Sequence, residues 1–242
     1  GDLALTLLGT AQAPTGGELE AQQIDLAMLA SLTARLPLGA QQRSLLESLQ
    51  ARGHAERFHA QWDGPVAAPT AWRLRADVRN LALREQDVAL VANVRHQALG
   101  RPGVEGARVE LDANHGGGRA TLHVERGSAS FPGVLERPRV ALDRLEAAVR
   151  WTVTAPPSSP PSSPSPGNLP RIEVHVDKTI FANADAQGRF KATWATGGSA
   201  DARVPGVLEL EGQIDRVTAT AVARYLPLGL AEPARRYVEQ SI

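Results

Sequence analysis

Strict alternation of apolar and charged residues, sustained through run after run, is the feature that most restricts how this chain can fold. Trp72-Arg-Leu-Arg-Ala-Asp-Val-Arg79 puts Trp72, Leu74, Ala76 and Val78 on one side and Arg73, Arg75, Asp77 and Arg79 on the other. The same pattern returns at Arg119 to Glu125 (Ala120, Leu122, Val124), Arg171 to Asp177 (Ile172, Val174, Val176), Arg189 to Trp194 (Phe190, Ala192, Trp194), and Leu208, Leu210, Gly212, Ile214. A period of two is a strand period and opposes a helix. Strands with one apolar and one charged face belong to an antiparallel sheet with one side wet.

The connectors agree. Asn114-His-Gly-Gly-Gly118 separates two alternating runs and reads as a hairpin turn, and Asp185-Ala-Gln-Gly188 reads as a second. The proline-serine tract Pro156 to Pro166 supports neither helix nor ladder, because proline lacks the donor and fixes φ. It is expected to be an exposed loop between the Trp151 and Ile172 strands, and it need not be a domain boundary, since the strand pattern on its two sides is the same.

Two blocks break the alternation, and they resemble one another. Glu18-Leu19-Glu20, Ile24-Asp25 and Leu36-Pro37-Leu38-Gly39 recur as Glu209-Leu210-Glu211, Ile214-Asp215 and Leu226-Pro227-Leu228-Gly229. Recurrence at this distance is the mark of a repeating array. Each copy reads as a strand, a capping Asp, a helix stopped at the Pro-Gly break, and a second helix. In the first, Leu26, Leu29, Leu32 and Leu36 form a helical stripe after Asp25, and Gln41 to Arg52 forms the partner helix closed by Gly53. In the second, Asp215 is placed to cap, Val217, Ala221, Val222 and Tyr225 form the stripe, and Pro233 opens the next helix.

The 26 basic and 26 acidic residues cancel, which removes the electrostatic footprint of a nucleic-acid binder. Cysteine is absent, so there is neither a disulfide framework nor a thiol site. No run approaches the roughly 18 to 20 apolar residues of a membrane span. The chain opens on Gly1 in a strand-like run and stops at Ile242 within a helical pattern, so both ends are expected to be cuts in a longer protein.

Chemistry is hard to find. The six histidines show no metal-ligand spacing, and His54 and His59, five apart, fall on opposite faces of a regular strand. His123 and His175 fall on polar faces. Gly116-Gly117-Gly118 precedes a strand and lacks the Gly-Lys-Ser/Thr of a phosphate loop, and Ser128 and Ser130 belong to no nucleophile elbow. Glu209 and Glu211 alternate outward. No catalytic set, metal site or cofactor is expected. What remains is a large one-sided sheet with only 4% aromatic residues and few helices to cover it. Such a face must meet another sheet or hold an apolar ligand, and it points to lipid.

Several segments carry a resemblance: Ile24-Asp-Leu-Ala27 with Ala34-Arg-Leu-Pro-Leu38, Trp62-Asp-Gly-Pro65 with Trp72-Arg-Leu-Arg75, Phe131-Pro-Gly-Val134, Phe181-Ala-Asn-Ala-Asp185 and Arg224-Tyr-Leu-Pro-Leu228. In order and spacing they resemble the AsmA-like envelope proteins, most closely the YhdP-type branch, through nearly the whole chain. The resemblance implies a parent anchored in the inner membrane of Gram-negative bacteria and crossing the periplasm as a curved β-groove of repeats. It implies a hydrophobic conduit for phospholipid between inner and outer membranes, without catalysis, with this chain an internal fragment. The membrane-spanning helix and C-terminal end of a complete member are missing, and the Pro/Ser tract has no counterpart in the pattern.

The expected architecture is therefore mainly β with some α: an extended, curved antiparallel sheet with short helix pairs at the repeat boundaries. Residues 1–53 hold strands and the first helix pair, 54–155 groove sheet, 156–169 the Pro/Ser loop, 170–214 groove sheet continued, and 215–242 a second, truncated helix pair. The expected lining is Trp72, Leu74, Ala76, Val78, Ala120, Leu122, Val124, Ile172, Val174, Val176, Phe190, Trp194, Leu208 and Leu210. The expected partners are phospholipid, adjoining repeats of the parent and, through a segment outside the chain, the inner membrane, with no nucleic acid. The main rival is an envelope assembly module that pairs through its sheet edges and carries nothing. A carbohydrate-active β-sandwich enzyme, with two carboxylates facing across a cleft, is a distant third.

Overall fold

A computed structural model describes residues 2–10, 13–28, 49–65, 69–86, 100–154, 171–196 and 207–230, with 233, 236 and 237. They form one open sheet whose strands lie side by side in chain order. The strands are β1 (Asp2–Thr10), β2 (Ala13–Asp25), β3 (Arg52–Asp63), β4 (Ala71–Leu83), β5 (Gly103–Asn114), β6 (Gly117–Ser130), β7 (Arg139–Thr154), β8 (Arg171–Ala182), β9 (Ala186–Ala195) and β10 (Val207–Val217). Every neighbouring pair is antiparallel. The alternating runs predicted this: each has a face for water and a face for apolar contact, and sequential hairpins pair them most directly. Among the described residues there is no second sheet, which removes the sandwich.

Both hairpin turns form. Between β5 and β6 the turn is His115-Gly116, where the Gly116 amide donates to Asn114 Oδ1 at 2.8 Å. Gly117 follows at φ 143°, and a side chain there would run into the Trp151 carbonyl. The second turn sits slightly earlier than expected, at Asn183 to Asp185, because the buried Asn183 side chain organises it. Asn183 Oδ1 accepts from the amides of Asp185 (3.0 Å) and Ala186 (2.8 Å), and its Nδ2 donates to the Ala141 carbonyl at 2.9 Å.

Among the described residues the helix pairs expected at the repeat boundaries are not shown. Asp25 does cap: the Ala27 amide donates to its Oδ1 at 2.7 Å, and Leu26 to Met28 make a helical turn. The remainder of the expected first helix, its Leu36-Pro37-Leu38-Gly39 stop and most of the second helix lie outside the described residues, as does the Pro/Ser tract. Arg52 and Gly53, expected to close that second helix, instead open β3, with Gly53 at φ 132°.

The second copy departs more. Asp215 caps nothing; it is a strand residue of β10 at a register shift, with Arg189 3.6 Å away. The neighbouring strand offers that carboxylate a cation, so the strand continues to Val217 and only a short 3-10 helix, Ala219–Tyr225, follows. It ends before Pro227 as the repeat predicted, and Pro233, Arg236 and Tyr237 are helical.

Three of the segments that carried the resemblance meet at one corner. Leu228 donates to the Val134 carbonyl (2.8 Å), Asn183 Nδ2 to the Tyr225 hydroxyl (2.9 Å), and Arg224 to Asp185 (2.9 Å). The C-terminal segment is thereby pinned to the β6–β7 and β8–β9 connections.

Candidate functional site

Residues directly opposed in an antiparallel sheet point to the same side. Register therefore shows whether fourteen residues scattered between 72 and 210 belong together, and all fourteen lie on one face. One row crosses all ten strands as Leu5, Leu19, Ala60, Leu74, Ala113, Gly118, Trp151, Val174, Trp194 and Leu208. The next crosses them as Leu3, Ala21, Phe58, Ala76, Leu111, Ala120, Val149, Val176, Ala192 and Leu210. Trp72 opposes Trp62, Val78 and Leu122 flank Val109, Val124 opposes Ala107 and Leu145, Ile172 opposes Val153, and Phe190 opposes Thr179 and Gly212. Neither row contains a charged residue.

Within the second row, bulky and small residues nearly alternate, leaving dips beside Leu3, Phe58 and Leu111. Glycines on this face serve the aromatics. Gly17 opposes Trp62, Gly118 opposes Trp151, Gly188 opposes Phe181 and Gly212 opposes Phe190. A Cβ on Gly118 would fall 2.5 Å from Trp151 Cζ2, and one on Gly188 would fall 3.1 Å from Phe181 Cε1. Missing side chains thus let the rings lie across the neighbouring strand.

The face is not uniform along the strands. At one rim it is closed: Ala107, Val124, Ala129, Leu142 and Leu145 form a buried cluster, and Ala21, Ile24, Ala55 and Val78 form another, with Leu81 packed against both. Val78 and Val124 are therefore core residues, 7% and 1% exposed, and not open lining. Toward the other rim the apolar side chains are half-buried, and Trp72 is exposed. At the edge strands Leu5, Leu208 and Leu210 are 50%, 45% and 57% exposed.

The opposite face is a lattice of ion pairs. Asp112 meets Arg73 at 3.1 Å, Arg119 at 3.6 Å and Arg75 at 3.7 Å; the Arg73 hydrogen bonds are the main cause holding its carboxyl below the usual range. Asp77, almost fully buried, meets Arg57 (3.3 Å) and Arg108 (3.5 Å). Arg150 meets Asp177 at 3.0 Å and Lys191 meets Glu211 at 2.8 Å. Glu18 is bound by the His59 imidazole at 2.6 Å, which with Gln61 lowers its pKa. Such cross-strand pairs hold the register, with the arginine and lysine partners in water and Asp77 the one buried carboxylate among those named.

Two features of this face escape sequence reasoning. A register shift between Ala55 and Arg57 slips the alternation by one residue. His54, opposite Asp25 and Arg79, therefore shares the polar face with His59, opposite Glu20 and Arg75, against the expectation of opposite faces. Pairing also brings Glu18, Glu20 and His59 within 4.8 Å of one another, a grouping invisible in spacing along one strand. His123 and His175 take the polar face as predicted, opposite Arg108 and Arg150.

No described helix is long and apolar enough to cross a membrane. The protein-family model described as YhdP protein matches residues 2–242. No curated protein matches the chain, and no solved structure does.

Proposed function

Because the chain belongs to the YhdP protein family, we propose that its sheet is a segment of a periplasmic groove that shields phospholipid acyl chains during transport between inner and outer membranes, within a parent anchored in the inner membrane. The supporting observation is the pair of uncharged apolar rows crossing all ten strands, backed by an ionic opposite face. Water on one side and hydrocarbon on the other is the partition this pattern satisfies. Each methylene laid on the apolar face is worth about 0.8 kcal/mol. Rows without charge let a chain slide at little change in energy, as a conduit requires. The carboxylates Asp77, Asp112, Asp177 and Glu211 of the polar face are committed to arginine and lysine, and the proposal assigns the chain no catalysis.

Adjoining repeats of the parent are proposed to continue the sheet at its edges. Both edge strands, β1 and β10, are exposed along nearly all their length, and among the described residues no further strand lies against either, so they invite another strand. That observation also favours the second reading, an assembly module that pairs through its edges and carries nothing. Solvent extraction of the purified chain followed by mass spectrometry separates the two. Phospholipid in the extract is expected; an extract free of lipid, from protein that still associates edge to edge, leaves only the second reading.

A further inference from the structure

Every tryptophan of this protein lies on the apolar face, and all four lie near the same rim. Trp62 and Trp72 oppose each other on the rim that carries the β3–β4 and β5–β6 turns, while Trp151 and Trp194 stand one row further in. Two of the rings are set by Gly17 and Gly118, so they lie over the sheet and do not project away from it. The other rim is the closed one, sealed by the two buried clusters around Val78 and Val124. The face therefore has a direction across its width: indole at one side, packed aliphatic core at the other.

Indole carries an apolar body with a polar N–H, and it concentrates where hydrocarbon gives way to water. From Trp72 to Val78 is six residues along β4, or about 20 Å at the rise of a strand. The hydrocarbon of one membrane leaflet, half of a core about 30 Å thick, is roughly 15 Å deep. The apolar face from Trp72 to the sealed Val78 is thus about 5 Å wider than the hydrocarbon of one leaflet is deep, wide enough to hold an acyl chain with tryptophan at the headgroup level and the chain end at the closed rim.

Resting on the reading that this face shelters phospholipid, we propose that the lipids lie with their acyl chains parallel to the strands, headgroups beside the tryptophan rim and chain ends toward the closed rim. Translocation is then a sideways step from strand to strand, with the headgroup kept in water throughout. The rows of small and large residues cross the direction of the chains, so each strand-to-strand step meets a shallow barrier.

The tryptophans themselves are the reporters, so no substitution is needed. The purified chain is incubated with vesicles of phosphatidylcholine bearing a nitroxide either on the choline headgroup or near the end of one acyl chain, then separated from the vesicles. Bound lipid is measured by mass spectrometry and tryptophan quenching by fluorescence. At equal occupancy the headgroup label should quench more strongly than the chain-end label. Equal quenching, or stronger quenching by the chain-end label, with lipid bound overturns this orientation and leaves the shelter standing. No bound lipid of either kind overturns both.

Discussion

Glutamate substituted for Ala147 and glutamate substituted for Ala148 introduce the same charge one residue apart on β7, and they should act in opposite ways. Ala147 opposes Leu122 on the apolar face; Ala148 opposes Thr121 on the ionic face, where Arg150 lies two residues further on. Both positions are half-buried. In the lipid-free protein both carboxylates reach water, so each variant should stay within about 1 kcal/mol of the parent. With lipid present they part. An unpaired carboxylate costs several kcal/mol to dehydrate, so the carboxylate of Ala147→Glu keeps its water and holds the acyl chain away. Strands about 4.8 Å apart, with same-face residues about 6.7 Å apart along each, give a side-chain site of roughly 32 Å². Losing that contact re-exposes the same area on protein and lipid, roughly 64 Å² in all, or about 1.6 kcal/mol at 25 cal/mol per Å². A loss of at least about 15-fold in lipid affinity follows for Ala147→Glu. Ala148→Glu should bind as the parent does. Titration with a fluorescent phospholipid, with urea midpoints as the folding control, makes the comparison. Equal affinities in two equally stable variants would refute the assignment of the apolar face.

Gly118→Ala should destabilise by about 1–3 kcal/mol, because its Cβ would meet both the Trp151 ring and the Asp112 carbonyl, the latter at 2.8 Å; Gly116→Ala, facing only Asn114 Oδ1 at 3.4 Å, should shift the thermal midpoint little. Asn183→Ala removes bonds to Ala141, Asp185, Ala186 and Tyr225 and should cost about 2–4 kcal/mol in urea denaturation, against about 1 for Tyr225→Phe; equal costs would show that Asn183 does not organise the β8–β9 turn. The depressed pKa of Asp112, due first to Arg73, contributes stability that is fully present above the ordinary aspartate value of about 3.9 and is lost as pH falls through the lower native value. Asp112→Asn should therefore make the acid limb of the stability profile shallower below about pH 4, and an unchanged limb would count against the arginine cluster.

Local and periodic features could be read directly from the chain. Alternation through Trp72 to Arg79, Arg119 to Glu125 and Arg171 to Asp177 is enough to specify strands with a dry face, because side chains in a strand point alternately to its two sides. The family, too, was legible in short segments, although their meeting at one corner through Leu228, Asn183 and Arg224 was not. Sequence failed where a neighbouring strand outweighed local preference. Asp215 had the position of a helix cap but faces Arg189 and stays in β10, and the shift between Ala55 and Arg57 moved His54 to the face opposite the one its numbering suggested. Val78 and Leu74 are equivalent in a period of two, yet one is sealed in a core and the other lines the half-buried sheet. Burial along a strand depends on what packs over each end, and four tryptophans separated by up to 132 positions reach one rim only because the strands from β3 to β9 pair in register. Those are long-range pairings, and alternation within one strand carries no record of them.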